Sequence, residues 1–247
     1  MAEAIPVPVG WSNSSPTSAF AFFPSEPLRD ADCEAFALLV SPAVDPAVFP
    51  LRLLRVRAPF DLCIRTTPPH VRPARFGRAT AKSATTETEF RGLVTPIRPG
   101  AQRHPDQCAI QLALNLFFVA DEHCMMPLMP PFPSPGFRRW PGSLVSGCFP
   151  LRDWPQPLNA ELEWQDRARD WPLTRREEIV YLLLNFNDPR KVAQLSEVAN
   201  TPALRRHVLQ VDNVSAYGRS VGPVFEQAAR RRPKRLLESK RIGSPAW

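Results

Sequence analysis

Thirty prolines among 247 residues set the first limit on what this chain can fold into. Proline has no amide donor and clashes with the preceding helical turn, so it is kept out of central strands and helix interiors. At more than twice the usual share of about 5%, it leaves room for short elements joined by long irregular connections. A β-sheet linked by loops meets that condition better than a helical bundle.

The hydrophobic pattern points the same way. Leu158, Ala160, Leu162 and Trp164 alternate with Asn159, Glu161 and Glu163, the period of two expected of a strand with one apolar and one acidic face. Ile179 to Leu184 is a short apolar run, as in a strand buried on both faces. The two are spaced to pair as an antiparallel hairpin across Gln165–Glu178. Ile110, Leu112, Leu114, Leu116 and Phe118 mark the longest strand, and Cys33–Val40, Leu51–Arg57, Phe60–Arg65 and Ser143–Phe149 add further candidates. Met125–Pro135, with its methionines and prolines, reads as irregular. Thr66–Gly92 reads as a long loop or edge hairpin carrying a basic patch of Arg72, Arg75, Arg78 and Lys82. About seven strands with Pro-rich links predict an antiparallel β-sandwich of jelly-roll type.

Residues 1–32 read as a Pro-rich N-terminal arm or edge segment, extended wherever ordered and pinned against the body or a partner by Trp11, Phe20, Phe22 and Phe23, and residues 33–187 as the sandwich. Residues 188–247 read as a helical region ending in a basic tail. Asp188-Pro189 and Thr201-Pro202 have the chemistry of helix starts, and Gly222-Pro223 opens a third helical piece that Pro233 ends. Strands first and helices last give an α+β order.

The net charge of +7 concentrates at the C-terminus, where Arg230, Arg231, Arg232, Lys234, Arg235, Lys240 and Arg241 stand against Glu238 alone. Such a tail suits nucleic acid, an anionic membrane or an acidic protein, or else is a solvated helix end. Polyanion-binding candidates are Arg230, Arg231, Arg232, Lys234 and Arg235. Five scattered cysteines show no Cys-x-x-Cys spacing, and no apolar run is long enough to span a bilayer. A cytoplasmic protein without a cofactor, with a protein partner rather than a membrane, is the expectation; nucleic acid is the alternative partner.

Few residues have catalytic spacing. His104-Pro105-Asp106 has the His-x-Asp spacing of a facial Fe(II) triad. With His207 and Arg219-Ser220 downstream it resembles the 2-oxoglutarate oxygenases, which place one residue between the last two. Against this, His207 falls in a capped amphipathic segment, where its ring is expected on the polar side beside Arg205 and Arg206. Asp121-Glu122-His123-Cys124 follows a strong strand, but neighbouring strand residues point to opposite faces and cannot close on one ion. Glu161 and Glu163 share a face, with Arg167 and Arg169 as nearby charge partners. Trp140, Trp154, Trp164 and Trp171 are expected as buried anchors, a stacking platform being the sharper alternative.

Trp154-Pro155-Gln156-Pro157-Leu158, Glu163-Trp164 and Arg175-Arg176-Glu177-Glu178, followed by a strand and helices, resemble an uncharacterised family of proteobacterial and phage proteins. That family carries Trp-x-Arg-Pro-Leu, an aromatic-Glu-Trp strand and an Arg-Gly-Glu-Pro turn. Here Gln156 replaces the Arg, Leu162 the aromatic, Arg176 the Gly and Glu178 the Pro. The resemblance covers about the last hundred residues and implies a β-sandwich, the family having no assigned activity. The arms at both ends, the proline load and the lack of catalytic spacing point to a non-catalytic structural or interaction protein, part of a phage or phage-like assembly and virion-associated in that case. An iron oxygenase or cupin-like enzyme is the first alternative; nucleic-acid binding through the basic C-terminus is the second.

Overall fold

The computed structural model describes residues 4–13, 26–27, 52–68, 70, 74–98, 107–132, 134–153, 155, 157–211, 226–227 and 229–238. Among them the chain is mostly β-strand with few helices. In chain order the strands are β1 (Ile5–Asn13), β2 (Glu26–Pro27), β3 (Leu53–Arg57), β4 (Leu62–Thr66), β5 (Phe76–Arg78) and β6 (Val94–Pro96). They continue with β7 (Cys108–Ala120), β8 (Cys124–Met129), β9 (Gly142–Leu144), β10 (Cys148–Pro150) and β11 (Pro157–Trp164). The last are β12 (Trp171–Leu173), β13 (Glu178–Leu183), β14 (Asn185–Phe186) and β15 (Lys191–Glu197), with helices α1 (Glu87–Leu93) and α2 (Pro202–Val211).

A six-stranded sheet runs β15-β1-β7-β11-β9, with β6 also on β7; a second runs β10-β8-β13-β3-β2, with β14 on β8; a third is β12-β4-β5. Pairing is antiparallel throughout except between β1 and β15. One apolar cluster draws side chains from all three sheets, including Val9, Val56, Ile64, Leu112, Leu162, Trp171 and Val180. Trp140 packs edge-on against Trp171 at 4.8 Å, and Trp171 against Trp164 at 6.5 Å. All three indoles are buried, so they are core anchors and offer no stacking surface. Trp154 lies outside the described residues.

Several expectations are corrected. β11 and β13 do not form a hairpin: β11 joins β7 and β9, β13 joins β3 and β8, and β12 lies between them in sequence. Residues 5–13 are extended and held on the body through Trp11, as expected, but as an internal strand between β15 and β7 rather than an arm or edge segment, with Val7 and Val9 buried. Cys124–Met129 is a strand despite Pro127. Cys124, Met126 and Leu128 alternate inward, Pro127 takes an outward position, and Leu128 N donates to Gly147 O at 2.8 Å. Ser143–Phe149 divides between β9 and β10 in different sheets. The stretch read as a long loop or edge hairpin at 66–92 does hold an edge hairpin, β5 pairing antiparallel with β4 at the margin of the third sheet, and also carries all of α1 but its last residue, with a capping box that joins Thr86 and Glu89. Cys33–Val40 lies outside the described residues.

The largest correction falls at Asp188-Pro189, which opens a turn rather than a helix. Asp188 accepts from Arg190 N at 2.9 Å, Arg190 holds its carboxyl down to about 2, and Arg52 Nη2 donates to Asp188 O at 2.9 Å. Caps and turns draw on the same Asp and Pro chemistry. The residues after it form β15, with Ala193 and Leu195 against the core at period two. No helix among the described residues is long and apolar enough to cross a membrane.

Two glycines test the packing. A Cβ on Gly142 would stand 1.9 Å from the Glu163 carbonyl oxygen across the β9–β11 pair, whereas one on Gly92 in α1 meets nothing within 4 Å. Gly142→Ala is expected to lower the urea midpoint of unfolding. Gly92→Ala is expected to raise it, by up to about 1 kcal/mol of helix propensity. Shifts of the same sign would contradict this packing.

Candidate interaction surface at the C-terminal segment

β7 changes character halfway along. From Ile110 to Leu114 it alternates; Asn115 then adopts φ 53°, a left-handed conformation that asparagine tolerates, near the register shift of β11 between Pro157 and Asn159. From Leu116 to Ala120 every residue is buried. Leu116, Phe118 and Ala120 face the main core, while Phe117 and Val119 join a second cluster with Val198, Leu204 and Leu236.

That second cluster is roofed by α2 and by residues 229–238. α2 begins as its sequence indicates: Leu204 N donates to Thr201 Oγ1 at 3.2 Å, with Pro202 as the first helical residue. The C-terminal segment approaches β1 where Gly10 leaves space, since a Cβ there would stand 2.6 Å from Leu237 Cδ2. Ala199 N donates to Glu238 O at 2.9 Å.

Arg232 fixes the segment to the body. Its Nε donates to Arg152 O at 2.7 Å, and its Nη2 to Ala120 O and to Asp121 Oδ1, both at 2.8 Å. Asp121 in turn accepts from Leu236 N at 2.8 Å and Leu237 N at 3.3 Å. The Arg232 side chain is 2% exposed. It is therefore a buried clamp and is withdrawn from the polyanion-binding candidates. Arg230, Arg231, Lys234 and Arg235 remain exposed, as do Arg205 and Arg206 on the outer side of α2. Arg230 lies 3.7 Å from Glu226, and Arg205 Nε donates to Asn200 Oδ1 at 3.2 Å.

His207 is on a helix as expected, but its ring is inside, 1% exposed, and neither nitrogen makes a hydrogen bond. Burial lowers its pKa below the ordinary value; Arg232 adds to that shift, while the Arg152 backbone and Asp153 oppose it. The Arg152 carbonyl already accepts from Arg232. A neutral imidazole beside a buried guanidinium is a poor seat for a divalent cation. His104, Asp106 and Arg219 lie outside the described residues, so His207 alone of the four oxygenase candidates is placed.

Asp121, Glu122 and His123 form the turn between β7 and β8, and with Cys124 they reach different partners rather than one ion. Asp121 holds the C-terminal segment, Glu122 pairs with Lys191, His123 is exposed and Cys124 is buried in β8. Arg169 pairs with Asp166 at 3.9 Å, and Arg167 Nη2 donates to Thr67 O at 2.9 Å. No group of three or more His, Cys, Asp and Glu among the described residues is placed to hold a metal ion.

A second concavity, an open cleft of about 490 Å³, lies between β4, β12 and the turn Thr80–Lys82, with Asp61, Cys63, Lys82, Ser83 and Thr174 in its wall. Burial and Asp170 raise the Cys63 thiol above its ordinary range, and its Sγ lies 3.9 Å from Asp170 Oδ2. Cys124 is pushed up to about 12 by burial, and Cys148 is raised by the same cause. The thiolate is the nucleophile, so none of these three is poised for attack at neutral pH.

Comparison with family models, with curated proteins and with solved structures gives no match.

Two outcomes follow from the clamp. Arg232→Ala removes one partner of a buried ion pair, and a loss of about 3 kcal/mol is expected. Limited trypsin digestion should then cut the segment after α2 faster than in the parent protein; unchanged cutting would contradict the clamp. The buried neutral His207 gives a pH signature. Its folded pKa lies below its unfolded one, so the unfolded state binds the proton first as pH falls. Stability is thus fully present above the ordinary histidine value near 6.5 and is lost as pH drops through it. The melting temperature is expected to fall between pH 7.5 and 5.5, and less so in His207→Phe; parallel profiles would refute the assignment.

Proposed function

We propose that this chain is a non-catalytic interaction protein that works through the surface formed by α2 and the C-terminal segment, as a component of a phage or phage-like assembly. The observation that carries this is the Arg232–Asp121 clamp: it turns a basic tail into a fixed surface, with one cation buried for anchorage and the others outside. The two six-stranded sheets, with side chains from both in one core, support the sandwich reading; its jelly-roll form is proposed from the many short strands and Pro-rich links. Arg176 stands where the resembling family carries glycine and has φ 69°, the backbone region that glycine adopts freely, which supports the resemblance.

The competing enzyme reading makes a different demand, namely iron bound through His104, Asp106 and His207. Protein purified from iron-supplemented culture is expected to carry iron well below one atom per chain and to form no succinate from 2-oxoglutarate. Stoichiometric iron together with turnover would overturn the proposal.

A further inference from the structure

We infer that the partner of this surface is the phosphodiester backbone of a nucleic acid, held by Arg206, Arg231, Lys234 and Arg235. The inference rests on the interaction reading above and names its partner.

The first support is charge. Across the described parts of α2 and residues 226–238, seven cations stand against the two carboxylates of Glu226 and Glu238. Arg232 is internal, Arg230 has Glu226 and Arg205 has Asn200. Arg206, Arg231, Lys234 and Arg235 are exposed and have no ion-pair partner among the described residues. Evenly charged backbones are recognised by such unneutralised cations through release of their condensed counterions.

The second support is rigidity. Lys234 and Arg235 lie between two anchors, Arg232 on Asp121 and Leu236 in the second apolar cluster. α2 rests on the same cluster through Leu204. The backbone bearing these cations is thus ordered before any ligand arrives, which lowers the entropic cost of binding relative to a free tail.

The third support separates nucleic acid from an anionic membrane. A helix that lies on a bilayer needs an exposed apolar face beside its cations. α2 has turned Leu204 and His207 inward, and the large hydrophobic side chains exposed among the described residues, Ile5 and Phe132, are on neither α2 nor the C-terminal segment. Among the described residues of α2 and 226–238, what faces solvent is charge rather than large apolar side chains.

The test is a titration of labelled duplex DNA at several salt concentrations. Four neutralised phosphates give a slope of log affinity on log salt of about −3.6. In the variant Arg206→Gln, Arg231→Gln, Lys234→Gln, Arg235→Gln, binding at low salt is expected to fall at least tenfold and the slope to approach zero. A control variant removes the same charge from exposed arginines elsewhere, Arg75, Arg91, Arg138 and Arg175, and is expected to keep the slope. Melting curves establish that both variants fold; should the first not fold, the single changes Arg231→Gln and Lys234→Gln carry the comparison. Absence of DNA binding by the parent protein, or an equal loss in both variants, overturns the assignment. So does binding to phosphatidylserine vesicles without binding to DNA. Such a failure in iron-free, inactive protein removes the nucleic acid and leaves the interaction reading standing; stoichiometric iron with turnover removes both.

Discussion

A strand that is apolar on both faces must be covered twice, and β7 is such a strand over its second half. One cover is the main core; the other has to come from elsewhere in the chain. α2 and residues 229–238 supply it, placing Leu204 and Leu236 over Phe117 and Val119. The cost of bringing a guanidinium into that contact is large unless its donors find acceptors. Arg232 finds acceptors for four of its five donors, in the carbonyls of Ala120, Arg152 and Pro233 and the carboxylate of Asp121, while Asp121 uses its other capacity on two backbone amides. The end of β7 and the C-terminal segment are in this way held by a single pair of side chains.

The same arrangement sorts the ionisable groups by role. Those inside are held in states that disfavour chemistry: a neutral histidine, thiols kept protonated by burial, an arginine with most of its donors engaged. Those outside on α2 and residues 226–238 are mostly cations on a supported backbone, with only Glu226 and Glu238 against them among the described residues. Catalysis needs groups whose pKa lies near working pH and whose atoms face a bound molecule. Binding to a polyanion needs only the second set.

Much of the sheet could be read from periodicity, because β3, β4, β7, β11 and β13 each carry their alternation or apolar run in sequence. Partners were less legible. β11 and β13 satisfy a hairpin locally, and only the long-range fit of β7 and β3 against them decides otherwise. Val192, Leu195 and Val198 recur at helical spacing, yet Ala193 and Leu195 pack at the spacing of a strand; pairing with β1, whose own alternation of Ile5, Val7, Val9 and Trp11 is interleaved with Pro6 and Pro8, settles the competition. The candidate surface had a signal that a reading of charge alone passes over. Leu116-Phe117-Phe118-Val119-Ala120 does not alternate, and Leu236-Leu237 interrupts a basic run. Apolar pairs within a charged tail, and a strand end without a polar face, are two halves of one contact. His207 shows the opposite error: flanked by Arg205 and Arg206 in sequence, it lies a helical turn from Leu204 in space and shares its burial.

The prolines of β1 have a consequence beyond shortening elements. Residues 5–11 pair with β15, but β7 reaches only as far as Val9, so the first turns of that strand have β15 on one side and no ladder on the other among the described residues. Ile5 N points to β15, donating to Arg190 O at 2.9 Å, and strand geometry then turns positions 6 and 8 the opposite way. Both are proline. The open edge of a largely buried strand therefore presents no amide at either position, and a stray strand from another copy of the chain finds nothing there to donate a hydrogen bond, which protects this margin against edge-to-edge aggregation.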